Sequence, residues 1–338
     1  MLRIVGDINL TDGYFDVGFG IGTKLSKGLD PFCNLERTRE DCWIGNFEGV
    51  ASEVTDKACN AAFQFRVSPS HIGLFKHFDV YGCANNHAMQ HGAQAYNDTL
   101  DALHSNGAMT FGSMAQKTLL FEHQGRRVSV TGFSQRIDYF SECPSYWHNP
   151  DNIDIQKEIE QIPEDAYKIV YIHWGNEFIN RPSVQQKRFA HWLIDIGFDL
   201  VVGHHPHVMQ GYETYHGKYI YYSLGNFVFD MPWEPTKYGA IVNVDLSSDN
   251  VEPTFDYIRI NEDYIPYIIN SEDLPLKYSF KYLNTLLSED DNSEEYHQKI
   301  NKCYREYRKA NHKDIFMKML HHPEMILGTL KDYINRRF

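Results

Sequence analysis

Along the first 260 residues, short apolar runs alternate with segments whose apolar positions recur every three or four residues. Leu2–Val5 reads as a strand closed by Gly6, and Cys42–Ile44 as a second short run before the polar GNFEG. Asp79–Gly82 leads into ANNHA, and Ala93–Asn106 follows as an amphipathic helix stopped by Gly107. LLFEHQGRRVSVTGF predicts a hairpin about Gly125, and KIVYIHW a buried strand. Ser183–Ile196 is a helix with Ser183 as its N-cap and Gly197 as its stop. DLVVGHHPHV reads as strand then loop, and GYETYHGKYIYYSLGNFVFD as a second hairpin turning at His216–Gly217. Ala240–Leu246 and Thr254–Ile260 are two more alternating strands. Strands and helices interleaved in this way predict an α/β fold.

After about residue 270 the pattern turns helical, with capping candidates Ser293 and Asn311, a break at Pro323, and no β-run or polar cluster. The expected organisation is a body over 1–265 and a helical extension over 266–338.

Within the body one motif recurs. A polar cluster follows an apolar strand four times: GD after LRIV, NNH after VYGCA, HWGNE after IVYI and GHHPH after LVV. Ligands of open α/β sheets gather beyond the strand carboxyl ends, so these clusters predict one shared site. Taken singly, GD is an ordinary turn, NNH an Asx-turn and HWGNE a core Trp among polar neighbours. GHHPH resists that treatment, because three His about one Pro have little structural purpose.

Of the 17 His, residues 87, 173, 204, 205 and 207 fall in these clusters, with Asp7, Asn46, Glu48, Asn85, Asn86 and Glu177 around them. Imidazole mixed with carboxylate and amide oxygen suits Zn²⁺, Mn²⁺ or Fe²⁺, and no thiolate takes part. So many donors exceed the need of one tetrahedral ion. They fit two divalent ions sharing a bridging carboxylate.

The ordered set GDINL, GNFEG, ANNHA, HWGNE, GHHPHV and YYSLGNFVFD resembles the CapA family of bacterial capsule synthesis, poly-γ-glutamate type. That family is related to the calcineurin-like metallophosphoesterases, and the resemblance spans roughly residues 3–246. It implies a four-layer α/β/β/α sandwich with a dinuclear metal site along one edge. It also implies roles for individual residues. Asp7 matches the first metal carboxylate, Glu48 stands in the bridging place, Asn86 is the amide ligand, and His173, His205 and His207 are the metal histidines. His87 matches the group that contacts substrate or protonates the leaving group. Asn85 and Glu177 join His87 as candidate catalytic residues, and Asn9, Asn46, His204, Trp174 and Asn226 are candidates for substrate contact, with His204 alternatively a supporting or surface group. Two positions depart from the phosphoesterase pattern: Asn9 replaces a histidine and Glu48 an aspartate, which weakens the first metal position unless Asn46 supplies an oxygen. Trp174, inside HWGNE, and Trp233, after SLGNFVFD, are candidates for stacking on sugar rings.

The expected function is a metal-dependent hydrolase or transferase in capsule or exopolysaccharide biosynthesis. Cation-activated water would attack a phosphoryl or acyl centre of a capsule or polysaccharide intermediate, with His87 as acid. Two alternatives stand beside it. One is an enzyme making, transferring or cleaving amide bonds of a γ-linked glutamate polymer, without any Walker or ATP-grasp signature. The other is a non-catalytic polymer-binding assembly factor.

Charge modifies this picture. With 32 Lys and Arg against 45 Asp and Glu, the formal charge is −13, which argues against general nucleic-acid binding. Residues 295–338 nonetheless hold ten Lys and Arg against five Asp and Glu, leaving −18 on residues 1–294. That basic segment, with Arg305, Arg308, Lys309, Lys313, Lys318, Arg336 and Arg337 beside Ile315, Phe316, Met319 and Leu320, fits two expectations. It packs on the acidic body, or it docks on an anionic membrane face. The N-terminus carries no basic, apolar leader and no run approaches about 20 apolar residues, so the expectation is cytoplasmic, peripheral to the inner membrane face at most. Six scattered cysteines (33, 42, 59, 83, 143, 303) predict reduced, partly buried thiols. Gly18, Gly20 and Gly22 mark a loop and form no dinucleotide fingerprint.

Overall fold

The structure is a computed structural model and describes residues 1–14, 16–73, 76–248, 250–288, 293–321 and 323. The chain lays down β1 (Leu2–Ile8), α1 (Ile21–Ser26), β2 (Cys42–Phe47), the two-residue β3 (Val50–Ala51) and β4 (Arg66–Val67), α2 (Pro69–Ile72), β5 (Val80–Gly82), α3 (Gly92–Ser105) and β6 (Met109–Phe111). The hairpin of β7 (Thr118–His123) and β8 (Arg126–Ser134) leads through α4 (Asn152–Ile159), β9 (Tyr167–His173), α5 (Val184–Asp195) and β10 (Leu200–His204). A second hairpin, β11 (Tyr212–Tyr215) and β12 (Lys218–Tyr221), precedes β13 (Asn226–Val228), β14 (Tyr238–Val244), β15 (Thr254–Ile260) and β16 (Pro266–Ile269). Helices α6 (Phe280–Leu283) and α7 (Ser293–His321) follow.

Two sheets result. One has the order β16-β15-β14-β1-β2-β5-β6 with β13 also on β1, and the other β11-β12-β10-β9-β8-β7. Their central strands are parallel and buried on both faces, so successive residues feed different cores. On β9, Ile169 and Tyr171 enter the core between the sheets, while Val170 and Ile172 enter an outer core under α4 and α5. On β2, Ile44 faces the inter-sheet core and Trp43 the outer core under α1 and α3. Three apolar layers separated by two sheets make the expected four-layer α/β/β/α sandwich.

Local chemistry accounts for the turns. Gln124–Gly125 (φ 50° and 74°) and His216–Gly217 (φ 48° and 76°) put two left-handed residues into each hairpin turn, the geometry that matches strand twist. Ser183 closes a capping box with Gln186 at the start of α5, and Gly197 ends it at φ 117°.

Three expectations change. First, β1 does not stop at Gly6 but continues through Asp7 to Ile8, because Gly6 lies against the Gly225 carbonyl, which would sit 1.9 Å from any Cβ there. Second, the boundary at 265/266 passes through the pairing of β16 with β15. Leu274, Phe280, Leu283 and Leu286 then return to the inter-sheet core, so this part of the extension is continuous with the body. Third, Asn311 caps nothing. It lies inside α7, a single 29-residue helix. The break expected at Pro323 falls just past the end of α7, and Arg336 and Arg337 lie outside the described residues. The six cysteines are free, with Cys42 and Cys83 buried. Among the described residues, no helix is long and apolar enough to cross a membrane.

Candidate metal centre

The polar clusters converge because strand register aligns them. Asp7 near the end of β1 lies opposite Asn46 on β2 and Asn226 on β13, and His204 at the end of β10 lies opposite His173 at the end of β9. Glu48 follows β2 directly, and Asn85, Asn86 and His87 follow β5. His205 (φ 91°) and His207 (φ 56°) flank Pro206 in left-handed backbone, a conformation that costs about 1–3 kcal/mol per residue and persists only where its surroundings enforce it.

Glu48 is the centre of the arrangement. It is fully buried, and neither carboxylate oxygen has a hydrogen-bond partner. Three imidazole Nε2 atoms stand just outside hydrogen-bond range of its Oε1: His207 at 3.7 Å, His173 at 3.8 Å and His87 at 3.9 Å. Two donor groups overlap on it, Asp7–Glu48–His173 and Glu48–His205–His207, each with ligand atoms within 4.8 Å of one another. A buried carboxylate left unpaired costs several kcal/mol, and cations are the partners that relieve it. Each of the two groups could hold a metal ion, and Glu48 belongs to both.

The supporting contacts fix donor atoms. Asn46 Nδ2 donates to Asp7 Oδ1 (2.8 Å), and the His205 amide donates to Oδ2 (3.1 Å). Asn226 Nδ2 donates to the Thr236 carbonyl, which turns its Oδ1 to His207 Nδ1 at 2.9 Å. His207 must then carry its proton on Nδ1, leaving Nε2 as a free lone pair facing Glu48. Gln90 Oε1 does the same for His87 at 2.7 Å, and Phe65 stacks on that ring at 3.8 Å. Asn86 Oδ1 and His205 Nδ1 both meet His173 Nε2, at 2.7 and 3.1 Å.

Electrostatics follow from burial and like charge. Burial, with the Asp7 and Glu177 charges, pushes the Glu48 carboxyl well above its usual range. Burial also works against an ionised Asp7, but the imidazoles of His204, His207 and His173 outweigh it and hold that carboxyl below normal. Burial drives His173 and His205 well below the usual imidazole value, and His87 down to about 4 in spite of Gln90.

Other expected site residues are placed elsewhere. Asn85 gives both ends to backbone, Nδ2 to the Phe47 carbonyl and Oδ1 to the His87 amide, so it shapes the loop and does not face the cluster. Trp174 is wholly buried, with Nε1 donating to the Tyr222 carbonyl, and cannot stack on a sugar. Asn9 accepts from the Thr11 amide and hydroxyl, which ties it into its own turn. His204 lies behind Asp7, 3.5 Å from Oδ1 and stacked on Tyr171, away from the open side. Asn46 serves Asp7 through its amide nitrogen, not as an oxygen ligand. Trp233 stands edge-on to Phe178 at 5.8 Å.

The open side is a cavity of about 1040 Å³ lined by His87, His207, Glu177 and Phe178 from the body and by α7. Tyr304 donates to Glu177 Oε2 (2.5 Å), and Tyr307 stacks on Phe178 at 4.0 Å. The helical extension, expected to hold no site residues, supplies one wall. A signal was present in its helical spacing: Tyr304, Tyr307, Arg308, Asn311, Asp314 and Lys318 share one face, and all line the cavity.

Residues 2–231 match the family described as "Bacterial capsule synthesis protein PGA_cap". The chain is 34% identical over 197 residues to the capsule biosynthesis protein CapA of Bacillus anthracis, covering 54% of this chain and 48% of that relative. It is 31% identical over 222 residues to the PGA biosynthesis protein CapA of Bacillus subtilis (strain 168), covering 62% and 58%. The chain thus spans about half the length of these curated relatives. Among solved structures, a novel phosphatase from Mycoplasma pneumoniae aligns with a TM-score of 0.47 at 12% identity, over 76% of this chain and 92% of that one.

Proposed function

Since the chain belongs to the bacterial capsule synthesis protein family, we propose that its buried carboxylate–imidazole cluster is a divalent-metal centre that hydrolyses or transfers a phosphoryl group of a capsule or exopolysaccharide intermediate. The observation that carries this reading is Glu48, a buried carboxylate with no hydrogen-bond donor, shared by two ligand-ready groups. Asp7, Glu48, Asn86, His173, His205 and His207 would hold the ions, with Mn²⁺, Zn²⁺ or Fe²⁺ suited to such donors. Bound there, a divalent cation supplies Lewis-acid charge and lowers the pKa of water to about 7 in favourable sites.

The chain's own residues do the rest. Asn46 and the His205 amide hold both Asp7 oxygens in place, and Asn226 keeps the His207 Nε2 lone pair directed inward. Gln90 and Phe65 clamp His87 at the cavity with Nε2 unprotonated. As found, His87 is a proton acceptor. Its action as an acid toward a leaving group requires an anionic substrate beside it to restore the proton that burial removes. Phe178, Tyr304 and Tyr307 close the cavity over the cluster and limit water.

Metal analysis of the purified protein tests this directly. Wild type is expected to retain divalent metal, Asp7→Ala and His207→Ala to lose it, and a phosphomonoester or phosphodiester to be turned over with Mn²⁺. Unchanged metal content in both variants refutes the centre. Turnover of a γ-glutamyl amide alone moves the reaction from phosphoryl to amide chemistry.

A further inference from the structure

One strand end at the cluster carries no polar motif in the sequence. β8 runs parallel to β9 with Ser134 opposite His173, and the Gln135 amide donates to the His173 carbonyl at 2.9 Å. The chain therefore leaves β8 where β9 and β10 deliver His173 and His204. Further on, the Phe140 ring stands 6.4 Å from that of His87. Between these two contacts lies Arg136. The segment has a fixed shape, because Asp138 Oδ1 accepts from the Phe140 and Ser141 amides and its Oδ2 from the Tyr146 hydroxyl. Arg136 is itself tethered: its amide donates to Ser134 Oγ, its carbonyl meets His148 Nε2, and Nη1 donates to the Gly175 carbonyl at 2.5 Å.

That tether leaves one edge of the guanidinium. Nε and Nη2 present parallel N–H bonds, a fork that matches two oxygens of one anionic group. Nε is buried without a hydrogen-bond partner, and among the described residues Nη2 has no acceptor and no carboxylate forms an ion pair with Arg136. The carboxylates of the adjoining loops are taken, Asp138 by Tyr146 and Glu177 by Tyr304. A buried charged donor without an acceptor is costly, so this edge is built to be met by something else. Its charge also reaches the cluster and the cavity. After burial and His173, Arg136 is the next influence lowering the His205 imidazole, and it opposes the rise that burial and Glu177 impose on the Tyr304 hydroxyl.

We propose that Arg136 is a substrate contact whose free Nε/Nη2 edge receives two oxygens of the phosphoryl group presented to the cluster, and so selects for that group. The proposal rests on the function proposed above and deepens it, naming a specificity residue that lies outside the six sequence motifs. Asp16, Glu177, Asp230 and Asp314 line the cavity, so its general charge does not draw in an anion. A phosphoryl group is held there only where cations meet it directly, at the cluster and at this guanidinium.

The test uses methylphosphonate, a phosphoryl analogue that resists hydrolysis. It is titrated calorimetrically into the full chain with Mn²⁺ and again in chelator, with metal content measured separately. Wild type is expected to bind it, and Arg136→Gln to weaken binding about tenfold or more. Arg136→Lys should not restore the affinity, because a point charge lacks the fork. Both variants should keep wild-type metal content and circular dichroism. Equal affinity in wild type and Arg136→Gln, absence of binding by either included, overturns the contact. So does a loss of affinity that comes with lost metal or altered circular dichroism in both variants, which would confine Arg136 to holding the loop at Gly175. Acetate bound as tightly as methylphosphonate overturns the selection for phosphoryl groups. Wild type that retains no metal, yet binds the probe through Arg136, would refute the metal centre and support the contact.

Discussion

Glu48 sits where a carboxylate has no stabilising partner of its own: both oxygens are buried and neither accepts a hydrogen bond. Without cations the folded state therefore gains by keeping Glu48 protonated, whereas with cations the ionised form is the favoured one. Glu48→Gln separates these states. Wild type should melt roughly 5 °C lower in chelator than with metal at about 100 times its Kd, a linkage of about 2.7 kcal/mol. The variant should lose this response and, in chelator, melt no lower than wild type. An equal chelator effect on both proteins would mean that the ions do not sit on Glu48. The pH dependence in chelator has two opposing limbs. His87 has a folded value of about 4 against 6.5 unfolded, so the unfolded chain binds the extra proton and stability falls as pH drops below about 6.5. His173 and His205 act in the same direction. Glu48 is raised above its unfolded 4.5, so its contribution declines as pH rises above that value. The raised carboxyl of Asp16 acts in the same sense as Glu48. Urea unfolding in chelator should show stability falling as pH drops below about 6.5, and falling more steeply in Glu48→Gln, which lacks the opposing contribution.

Strand β1 carries Asp7 to the cluster only because Gly6 permits backbone contact with Gly225. Gly6→Ala would set a Cβ 1.9 Å from that carbonyl oxygen, with rigid backbone on the opposing side. Overpacking of this kind costs about 1–3 kcal/mol and occasionally more, and here the strand cannot shift without moving Asp7. Urea denaturation should show at least that loss together with reduced metal content, and wild-type stability would show that β1 can relax. The same strand explains what was legible in the chain. Both hairpins could be read because their turn chemistry is local, at Gln124–Gly125 and His216–Gly217. The end of β1 could not, because Gly6 and Asp7 are turn residues unless one knows that Gly225 lies alongside. Asp7, Glu48, His173, His205 and His207 were visible as polar residues after apolar strands, and register brings them together. Side-chain direction was not visible. Asn85 turns to the Phe47 carbonyl and Trp174 to the Tyr222 carbonyl, choices set by tertiary neighbours that no local pattern records.

At the scale of the molecule, the charge asymmetry becomes a packing relation. Residues 1–294, at −18, meet a helix whose residues contribute to the basic 295–338 segment, and the join lies over the site. Among the described residues, three contact regions hold α7 there, the first at Tyr296, whose hydroxyl donates to the Arg181 carbonyl. Tyr304 and Tyr307 fasten its middle to Glu177 and Phe178. Lys318 fastens its end to the Tyr264 hydroxyl at 3.4 Å and lies 5.4 Å from the Phe19 ring centroid. The family match ends at residue 231, so this wall is built from sequence outside it, and access to a centre within the match is governed from beyond it. The aromatic stack is the contact to test, because stacking of this type adds about 0.5–1.5 kcal/mol to the burial of the ring itself. Tyr307→Ala removes both, and the expected loss exceeds about 1.4 kcal/mol, or about tenfold in the opening equilibrium of the helix. Hydrogen exchange should then quicken about tenfold or more at the amides of residues 299–311, while those of β9, buried between two cores, keep their wild-type rates. Faster exchange in both regions would point to global destabilisation. Unchanged exchange in α7 would mean that the stack does not hold the wall, and that Lys318 and the Tyr304–Glu177 bond suffice to keep the cavity covered.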